Sequence, residues 1–151
     1  GKPIPTLVYM PSWTASWEVA VADKPDSGRR NYHVEPYILG QYLKYNSNAG
    51  HVNMSTLDDV CHTFSHWTYA VTEGRLLVAD VQGVKDHSQR KVLLTDPAIH
   101  CVPMIEDYFD PDSNRGPIGV KEFFLTHCCN DACKKLKLKS AEEELTLLRK
   151  Q

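Results

Sequence analysis

Residues 55–71, STLDDVCHTFSHWTYAV, and the apolar run RLLVAD at 75–80 decide the fold class. The first stretch repeats apolar residues at helical spacing behind a capping-box-like start at Ser55 or Thr56, which predicts a helix over about 56–68. The second stretch is a short continuous apolar run, which is typical of a strand buried on both faces. Together they place a helix directly before a buried strand.

On the N-terminal side of that helix, the sequence predicts short strands. LVYM at 7–10 and WEVAVA at 17–22 are rich in β-forming residues. YHVEPYIL at 32–39 is expected to end or become irregular at Pro36, because proline cannot donate a hydrogen bond to a strand ladder.

On the C-terminal side, residues 81 to about 115 are expected to be loop-like apart from a short apolar segment at 92–94. Pro117 suits the first turn of a second helix, which is expected over 119–129. The order of strands, helix, strand, loop and helices predicts an α+β domain.

The composition is that of one ordinary globular domain. The chain has 151 residues, of which 42% are hydrophobic and 24% charged, and this excludes disordered, collagen-like and coiled-coil proteins. A net charge of -2 argues against a dedicated nucleic-acid binder. No apolar stretch approaches the roughly 20 residues of a membrane span, and no signal peptide is visible, so a cytoplasmic protein without a span in this chain is expected.

Ser140 with Glu143 predicts a capped last helix, AEEELTLLRK.

The cysteines are odd in number, five, and three of them lie within six residues, which favours metal or thiol chemistry over disulfides. His127, Cys129 and Cys133 supply one imidazole and two thiols, the ligand types that zinc binds in a tetrahedron. His127 cannot share a face of a regular helix with Cys129, so the chain must leave the helix near 127–129. His66 is the best candidate for the fourth ligand. Spacing alone leaves free buried thiols and a core histidine as the alternative.

A second candidate site follows the apolar strand. Asp80 ends that run, Gln82 stands two residues on, and Thr95 and Asp96 lie in the adjoining segment. Phosphoryl transfer needs one carboxylate to hold Mg²⁺ and another to orient or deprotonate the attacking hydroxyl. On these residues alone, the alternative is that Asp80 is an ordinary turn residue.

A third candidate is the loop NRGPIG at 114–119, which opens onto the second helix. Backbone N–H groups of such a loop can host an anion or an extended peptide. A plain turn into the helix is the alternative, and Pro117 removes one donor.

Four ordered segments strongly resemble the alpha-kinases, the atypical Ser/Thr protein kinases that include elongation factor 2 kinase, the myosin heavy chain kinases and kinase domains fused to some melastatin-type channels. The four segments are FSHWT at 64–68, LLVADVQGV at 76–84, LTDPAIH at 94–100 and FFLTHCCNDAC at 123–133. VEP at 34–36 and KYNSNAG at 44–50 are also similar, so the resemblance runs over about 32–137.

The resemblance implies a protein-kinase-like C-terminal lobe with the hinge and adjoining strands, stabilised by zinc. It implies transfer of the ATP γ-phosphoryl group to Ser or Thr of a protein substrate. Asp96 would be the catalytic carboxylate with Thr95 positioning its loop, while Asp80 and Gln82 would bind Mg²⁺. The structural zinc would be held by His66, His127, Cys129 and Cys133.

The remaining implied roles concern nucleotide and substrate. Glu35 and the backbone at Tyr37 would lie at the hinge against adenine, and Lys44 and Asn48 would lie near the phosphates and metal. The loop that holds the peptide substrate would contain Asn114, Gly116 and Gly119.

The chain also departs from the family pattern. The lysine that grips the α/β-phosphates is missing, since Lys2 and Lys24 do not lie in apolar strands. We therefore expect a partial catalytic domain, completed by an N-lobe segment from the rest of the polypeptide or from a second chain. The segment between Gln82 and Asp96 is longer than the family pattern, which suggests a bulged metal loop.

Substrate choice is in doubt, because Arg115 and Pro117 stand where the family's substrate loop is usually more apolar and flexible. The expected division is 1–40 for strands leading into the hinge, 41–137 for the C-lobe with its metal, catalytic and zinc sites, and 138–151 for the C-terminal helix. The alternative function is a zinc-stabilised pseudokinase or protein-binding module without catalysis. A plain zinc-finger-like domain would need no acids at 80 and 96.

Overall fold

The computed structural model describes residues 4–18, 29–56, 60–103 and 113–150. The strands are β1 (Thr6–Tyr9), β2 (Trp13–Glu18), β3 (Arg29–Val34), β4 (Tyr42–Lys44), β5 (Leu76–Ala79), β6 (Gln82–Asp86), β7 (Lys91–Thr95) and β8 (Ala98–Cys101). The helices are α1 (Val60–Val71), α2 (Gly116–Thr126), α3 (Asp131–Lys135) and α4 (Ala141–Leu148), with a 3₁₀ turn at Met54–Thr56. The α+β class is therefore confirmed.

A four-stranded sheet with the strand order β1-β7-β6-β4 carries several of the candidate site residues. Strand β6 is antiparallel to both β4 and β7, while β1 runs parallel to β7. In this register Lys44 lies opposite Gln82, and Gln82 lies opposite Thr95. Residues from three strands therefore meet at one end of the sheet, where Asp80 precedes β6 and Asp96 follows β7.

The expectation of a loop over residues 81 to about 115 is wrong for the first two thirds of that range, because it contains the strands β6, β7 and β8. The apolar segment at 92–94 is the centre of β7, where Val92 is 1% exposed and Leu94 is not exposed at all. Only one short apolar run indicated a strand there, since the partner strand β6 reads QGVKD and three of its five residues are polar.

The extra length between Asp80 and Asp96 forms the β6–β7 hairpin rather than the bulged metal loop that was expected. Its turn is closed by the Asp86 carboxylate, which accepts hydrogen bonds from the backbone amides of Ser88 at 2.9 Å and Gln89 at 3.1 Å. At about 3.4 Å per residue, the five-residue strands place this turn roughly 14 Å from the end of the sheet that holds the two acids.

Strands β5 and β8 form a separate antiparallel pair that packs between α1 and α2. Leu77 and Ala79 are buried, whereas Leu76 and Val78 are only half-buried, so β5 is buried fully on one face and the expectation of two buried faces is wrong. The main apolar cluster on the buried face contains Tyr69, Leu77, Ala79, Val120, Phe123, Phe124 and Ala141. A second cluster lies under the four-stranded sheet and contains Tyr45, Cys61, Val81, Val92 and Leu94.

The helices differ from expectation mainly at their ends. Helix α1 runs to Val71, three residues beyond the expected end, and its expected cap involves residues 57–59, which lie outside the described ranges. Helix α2 begins and ends three residues earlier than expected, with Pro117 in its first turn as predicted. The capping box of α4 is confirmed, since Ser140 Oγ accepts from the Glu143 amide at 3.2 Å and the Ser140 amide donates to the Glu143 carboxylate at 2.6 Å.

The N-terminal strands are β1, close to the expected 7–10, and the hairpin of β2 and β3. Strand β3 ends at Val34, two residues before Pro36, as the proline predicted. Residues 19–22 of the expected strand at 17–22 lie outside the described ranges. Within the parts of the chain that the structure describes, no helix has both the length and the apolar character to cross a bilayer.

Candidate functional site

Asp80 lies at the centre of a group of polar side chains at the end of the four-stranded sheet. Its Oδ1 atom is 2.6 Å from Lys44 Nζ and accepts a hydrogen bond from the Asn48 backbone amide at 3.2 Å. Its Oδ2 atom accepts from Gln82 Nε2 at 2.9 Å. The structure therefore brings together all four residues expected around Mg²⁺ and the phosphates. Lys44 is the last residue of β4 and Asn48 lies in the loop that follows it, whereas Gln82 begins β6 and Asp80 stands two residues before it.

Asp96 lies on the other side of Gln82, in the tight connection between β7 and β8. Its carbonyl accepts a long hydrogen bond from Gln82 Nε2 at 3.5 Å, and its backbone amide donates to Glu35 Oε1 at 3.3 Å. The Asp96 side chain is exposed. Thr95 is 8% exposed, and its hydroxyl is 2.7 Å from the Tyr42 hydroxyl. Glu35 and Thr95 thus fix the backbone around Asp96, while its carboxylate remains exposed.

Both acids have a left-handed backbone conformation, with φ of 56° at Asp80 and 44° at Asp96. Aspartate tolerates this region better than most residues, but it remains unfavourable for any side chain with a Cβ. Such strain concentrates at functional sites, where the surrounding structure holds it in place. Glu73, Arg90 and Lys137 share this conformation in turns elsewhere, so the meeting of the two acids at one end of one sheet supports a site more than their backbone does.

A cavity of about 410 Å³ opens next to Asp96. It is lined by Ser12, His33, Glu35, Asp96 and Pro97. Glu35, the expected hinge residue, thus borders the same space as the expected catalytic carboxylate. Tyr37 is 89% exposed and does not line this cavity, so its place at the hinge stays a prediction.

The expected substrate loop is largely packed against the protein. Asn114 is 3% exposed, and its side-chain oxygen accepts from the backbone amides of Cys101 at 3.2 Å and Gly116 at 2.9 Å. Gly119 is buried against the ring of His100. Asn114 and Gly119 therefore tie β8 to the start of α2, and the exposed part of this segment is Pro117 and Ile118.

The four expected zinc ligands form a compact cluster. His66 Nδ1, His127 Nε2 and the sulfur atoms of Cys129 and Cys133 all lie within 4.8 Å of one another. The shortest separation is 3.2 Å between the two nitrogens, and the sulfur-to-nitrogen distances are 3.8 Å for Cys129 with His66 and 3.6 Å for Cys133 with His127. Zinc bonds of about 2.0–2.1 Å to nitrogen and 2.3 Å to sulfur give tetrahedron edges of about 3.3 and 3.6 Å, so the donor set fits this metal.

Local backbone structure explains how the ligands converge. Helix α2 ends at Thr126, and His127 is extended with φ of -70° and ψ of 124°, so the chain leaves the helix where the ligand spacing required it. The His127 ring stacks on Phe123 with ring centroids 4.9 Å apart, and the His66 ring meets the edge of Phe124 at 5.1 Å. Two phenylalanines of the main apolar cluster therefore hold the two imidazoles in place.

Burial sets the protonation states of these ligands. It lowers the pKa of His66 to about 4, and burial together with the neighbouring His66 and His62 lowers the pKa of His127 to about 3. Both imidazoles are therefore neutral at pH 7, which is the metal-binding form. Burial, with Cys133 beside it, raises the pKa of the Cys129 thiol. A thiolate at this position consequently needs a nearby cation, and a bound Zn²⁺ would supply one.

Four residues of these sites were missed in the sequence: Tyr42, Thr63, His100 and Asn130. Thr63 is 3.5 Å from Cys133 Sγ and donates to Asn130 Oδ1 at 2.7 Å. Asn130 caps α3 by accepting from the amides of Ala132 and Cys133. Thr63 stands three residues before His66 on α1, and this helical spacing is a signal that could have found it. For Tyr42 and His100 no sequence pattern points to the contact.

Comparison with known proteins agrees with this geometry. The model of the alpha-kinase family matches residues 2–133. The chain is similar to alpha-protein kinase vwkA of Dictyostelium discoideum, with 41% identity over 71% of this chain and 16% of that protein. It is also similar to eukaryotic elongation factor 2 kinase of Homo sapiens, with 38% identity over 80% of this chain and 15% of that protein.

Solved structures show the same relationship. A novel alpha kinase from Entamoeba histolytica has a TM-score of 0.72 and 31% identity over 90% of this chain and 55% of that chain. The inactive alpha-kinase domain of myosin heavy chain kinase A, in complex with ATP, has a TM-score of 0.73 and 29% identity over 91% of this chain and 50% of that chain. The chain thus spans about half of these kinase structures and about 15% of the two curated relatives.

Proposed function

Because the chain belongs to the alpha-kinase family, we propose that it is part of an atypical Ser/Thr protein kinase that transfers the γ-phosphoryl group of ATP to a protein substrate. The observation that carries the proposal is the meeting of Asp80, Gln82 and Asp96 at one end of the four-stranded sheet, with Lys44 against Asp80. Phosphoryl transfer relies on positioning and on charge neutralisation, and these residues supply both.

Magnesium would be held by Asp80 and Gln82 and would neutralise charge on the phosphates. Carboxylate and amide oxygens are the ligands that this cation prefers. The backbone amide of Asn48 contacts Asp80, and its side-chain oxygen is buried without a hydrogen-bond partner among the described residues, so this residue offers a further oxygen. Lys44 offsets the Asp80 charge in the structure and would be placed to meet the phosphates when nucleotide binds.

Asp96 would orient or accept the proton of the substrate hydroxyl. Its carboxylate is exposed, and the cavity beside it leaves room for a substrate side chain. The bond from its amide to Glu35 links the proposed hinge to the catalytic carboxylate, so that nucleotide and acceptor would be positioned by one connected segment. The Tyr42 and Thr95 hydroxyls link β4 to the end of β7 across β6, next to Asp96.

We also propose that zinc is a structural cofactor bound by His66, His127, Cys129 and Cys133. Support comes from the near-tetrahedral spacing and from the neutral state of both imidazoles. The site joins the middle of α1, the segment that follows α2, and α3, so the metal would fix the packing of these three helices.

The test is phosphoryl transfer from MgATP by the full-length protein, with an Asp96→Ala variant. We expect activity to fall at least about 100-fold, because a positioned general base contributes about 10²–10⁴ to the rate. MgATP binding and the thermal midpoint should stay near those of the parent, because Asp96 is exposed. Asp86→Asn is the control, because it removes an acid at the far end of the same hairpin and keeps a side-chain oxygen that can close the turn.

Two results would count against the proposal. An Asp96→Ala variant with more than about 5% of the parent's activity would remove Asp96 from the catalytic role. Nucleotide or partner binding by the parent without any turnover would instead favour the alternative, a zinc-stabilised pseudokinase or protein-binding module.

A further inference from the structure

His100 lies between the two halves of the proposed site and has no role in the chemistry described above. It is on β8 and is completely buried. Its Nε2 atom is 3.1 Å from the carbonyl oxygen of Asn48, and its Nδ1 atom is 3.1 Å from the backbone nitrogen of Arg115. The two partners lie 52 residues before and 15 residues after it in the chain. One ring therefore bridges two loops that are remote in sequence.

The two bonds define the state of the ring. A backbone amide can only donate and a carbonyl can only accept, so Nδ1 must be the acceptor and Nε2 must carry the proton. A charged ring would place a second N–H against the Arg115 amide. Burial is the main reason why the pKa of His100 is lowered, and the nearby Arg115 guanidinium acts in the same direction. Both ring nitrogens are thus satisfied only in the neutral form with hydrogen on Nε2.

Each end of the bridge reaches a different part of the proposed kinase site. The Asn48 carbonyl accepts from His100 while the Asn48 amide donates to Asp80 Oδ1, so the ring supports the proposed metal and phosphate loop. Arg115 directly precedes α2, and its side chain is 2.8 Å from Glu122, about two turns further along that helix. The other end of the bridge therefore supports the segment expected to hold the peptide.

Gly119 leaves the space that this arrangement needs. A Cβ at position 119 would lie 2.5 Å from both Cδ2 and Nε2 of the His100 ring, closer than real contacts of this kind. The ring is consequently packed directly against the backbone of α2, and any side chain at 119 would displace it. This is a steric requirement, since Gly119 has an ordinary helical position inside α2.

We infer that His100 is a positioning residue that couples the Asp80 metal loop to the peptide-binding segment at the start of α2. The inference rests on the proposed kinase function. His100 does not touch the reacting atoms. It holds Asn48 with one nitrogen and Arg115 with the other, so that the nucleotide side and the peptide side keep a fixed relative position.

Two variants separate the two connections. Glutamine can place an N–H near the position of Nε2, and asparagine can place an oxygen near the position of Nδ1. His100→Gln thus keeps the bond to Asn48 and loses the acceptor for Arg115, whereas His100→Asn keeps the acceptor and loses the donor. His87→Gln, in the exposed turn of the β6–β7 hairpin, is the control for the substitution itself.

Steady-state kinetics of the full-length protein would use MgATP and a Ser/Thr peptide selected from a library with the parent enzyme. We expect His100→Gln to raise KM for the peptide about tenfold with little change in KM for MgATP. His100→Asn should raise KM for MgATP about tenfold with little change in KM for the peptide. These sizes are reasonable because misplacement of a bound group by about 1 Å can lower the reaction rate up to about 100-fold. His87→Gln should match the parent. If the two variants change the same constants, or only lower the thermal midpoint, the coupling role is refuted.

An NMR measurement tests the bridge without relying on activity. Long-range proton–nitrogen spectra of ring-labelled protein at pH 7 should show His100 with hydrogen on Nε2 and none on Nδ1. A ring with hydrogen on Nδ1 would overturn the inference. If the parent neither binds MgATP nor transfers phosphate, and the expected tautomer is present, the kinase proposal fails while the bridge between Asn48 and Arg115 stands.

Discussion

Replacing Cys133 by serine tests the zinc site most directly, because this sulfur is 1% exposed and lies 3.6 Å from His127 Nε2. Structural zinc sites contribute about 10–16 kcal/mol of apparent binding free energy in small peptides, or roughly 3–4 kcal/mol for each of four ligands. That share is large against a typical domain stability of about 5–15 kcal/mol. For a chain of this size, 1 kcal/mol shifts the thermal midpoint by about 2–4 °C, so Cys133→Ser should lower it by roughly 6–16 °C.

The matched control is Cys128→Ser. Cys128 adjoins the ligand Cys129, yet its thiol is exposed and is not one of the four clustered atoms. Thermal unfolding followed by circular dichroism, together with zinc content by mass spectrometry, should show about one zinc per chain in the parent and in Cys128→Ser and a loss in Cys133→Ser. The reasoning is refuted if both variants keep the parent's zinc content and thermal midpoint, or if a chelator leaves the parent's melting curve unchanged.

The other two predictions concern the same ligands and the sheet that holds the acids. Stability should fall as the pH drops from about 6.5 to about 4. In this range the unfolded state takes up protons on His66 and His127, whereas burial keeps their folded pKa values near 4 and 3. Urea unfolding at pH 7 and pH 5 measures the difference in stability, and equal stability at both would contradict the prediction. Gly83→Ala should destabilise the protein by about 2 kcal/mol or more, because φ is 156° and a Cβ would overlap the Leu93 carbonyl oxygen. Gln89→Ala, in the exposed turn, is the control. If Gly83→Ala has the same denaturation midpoint as this control, the strand pair can adjust to a Cβ at position 83 and the prediction is wrong.

Sequence patterns predicted the features that depend on local chemistry. The capping box at Ser140 and Glu143, the end of β3 before Pro36 and the break in the chain at His127 all follow from properties of single residues and their near neighbours. The four proposed zinc ligands also lie together, because three of them fall within seven residues and the fourth is a buried residue of α1.

What the sequence did not show depends on pairing between distant segments. Strand β6 reads QGVKD, with two buried residues in five, and its identity as a strand comes from pairing with β4 on one side and β7 on the other. The bridge from His100 to Asn48 and Arg115 likewise depends on the relative position of three elements. Neither the pairing of β6 nor the His100 bridge produces a hydrophobic periodicity in the sequence, so the sequence of this region predicts a loop.

Strand register explains how the two acids come to share one site although 16 positions separate them. In the antiparallel β6–β7 pair, Gln82 opposes Thr95, so the residues just outside the pair, Asp80 and Asp96, return to the same end of the sheet. A slip of one residue would turn Gln82 to the opposite face and separate it from both carboxylates. Gly83 resists such a slip, because its backbone approaches the Leu93 carbonyl too closely for any residue with a Cβ. The glycine of the DVQG segment thus acts on the proposed metal site through strand pairing, and a loss of metal affinity in Gly83→Ala should accompany its loss of stability.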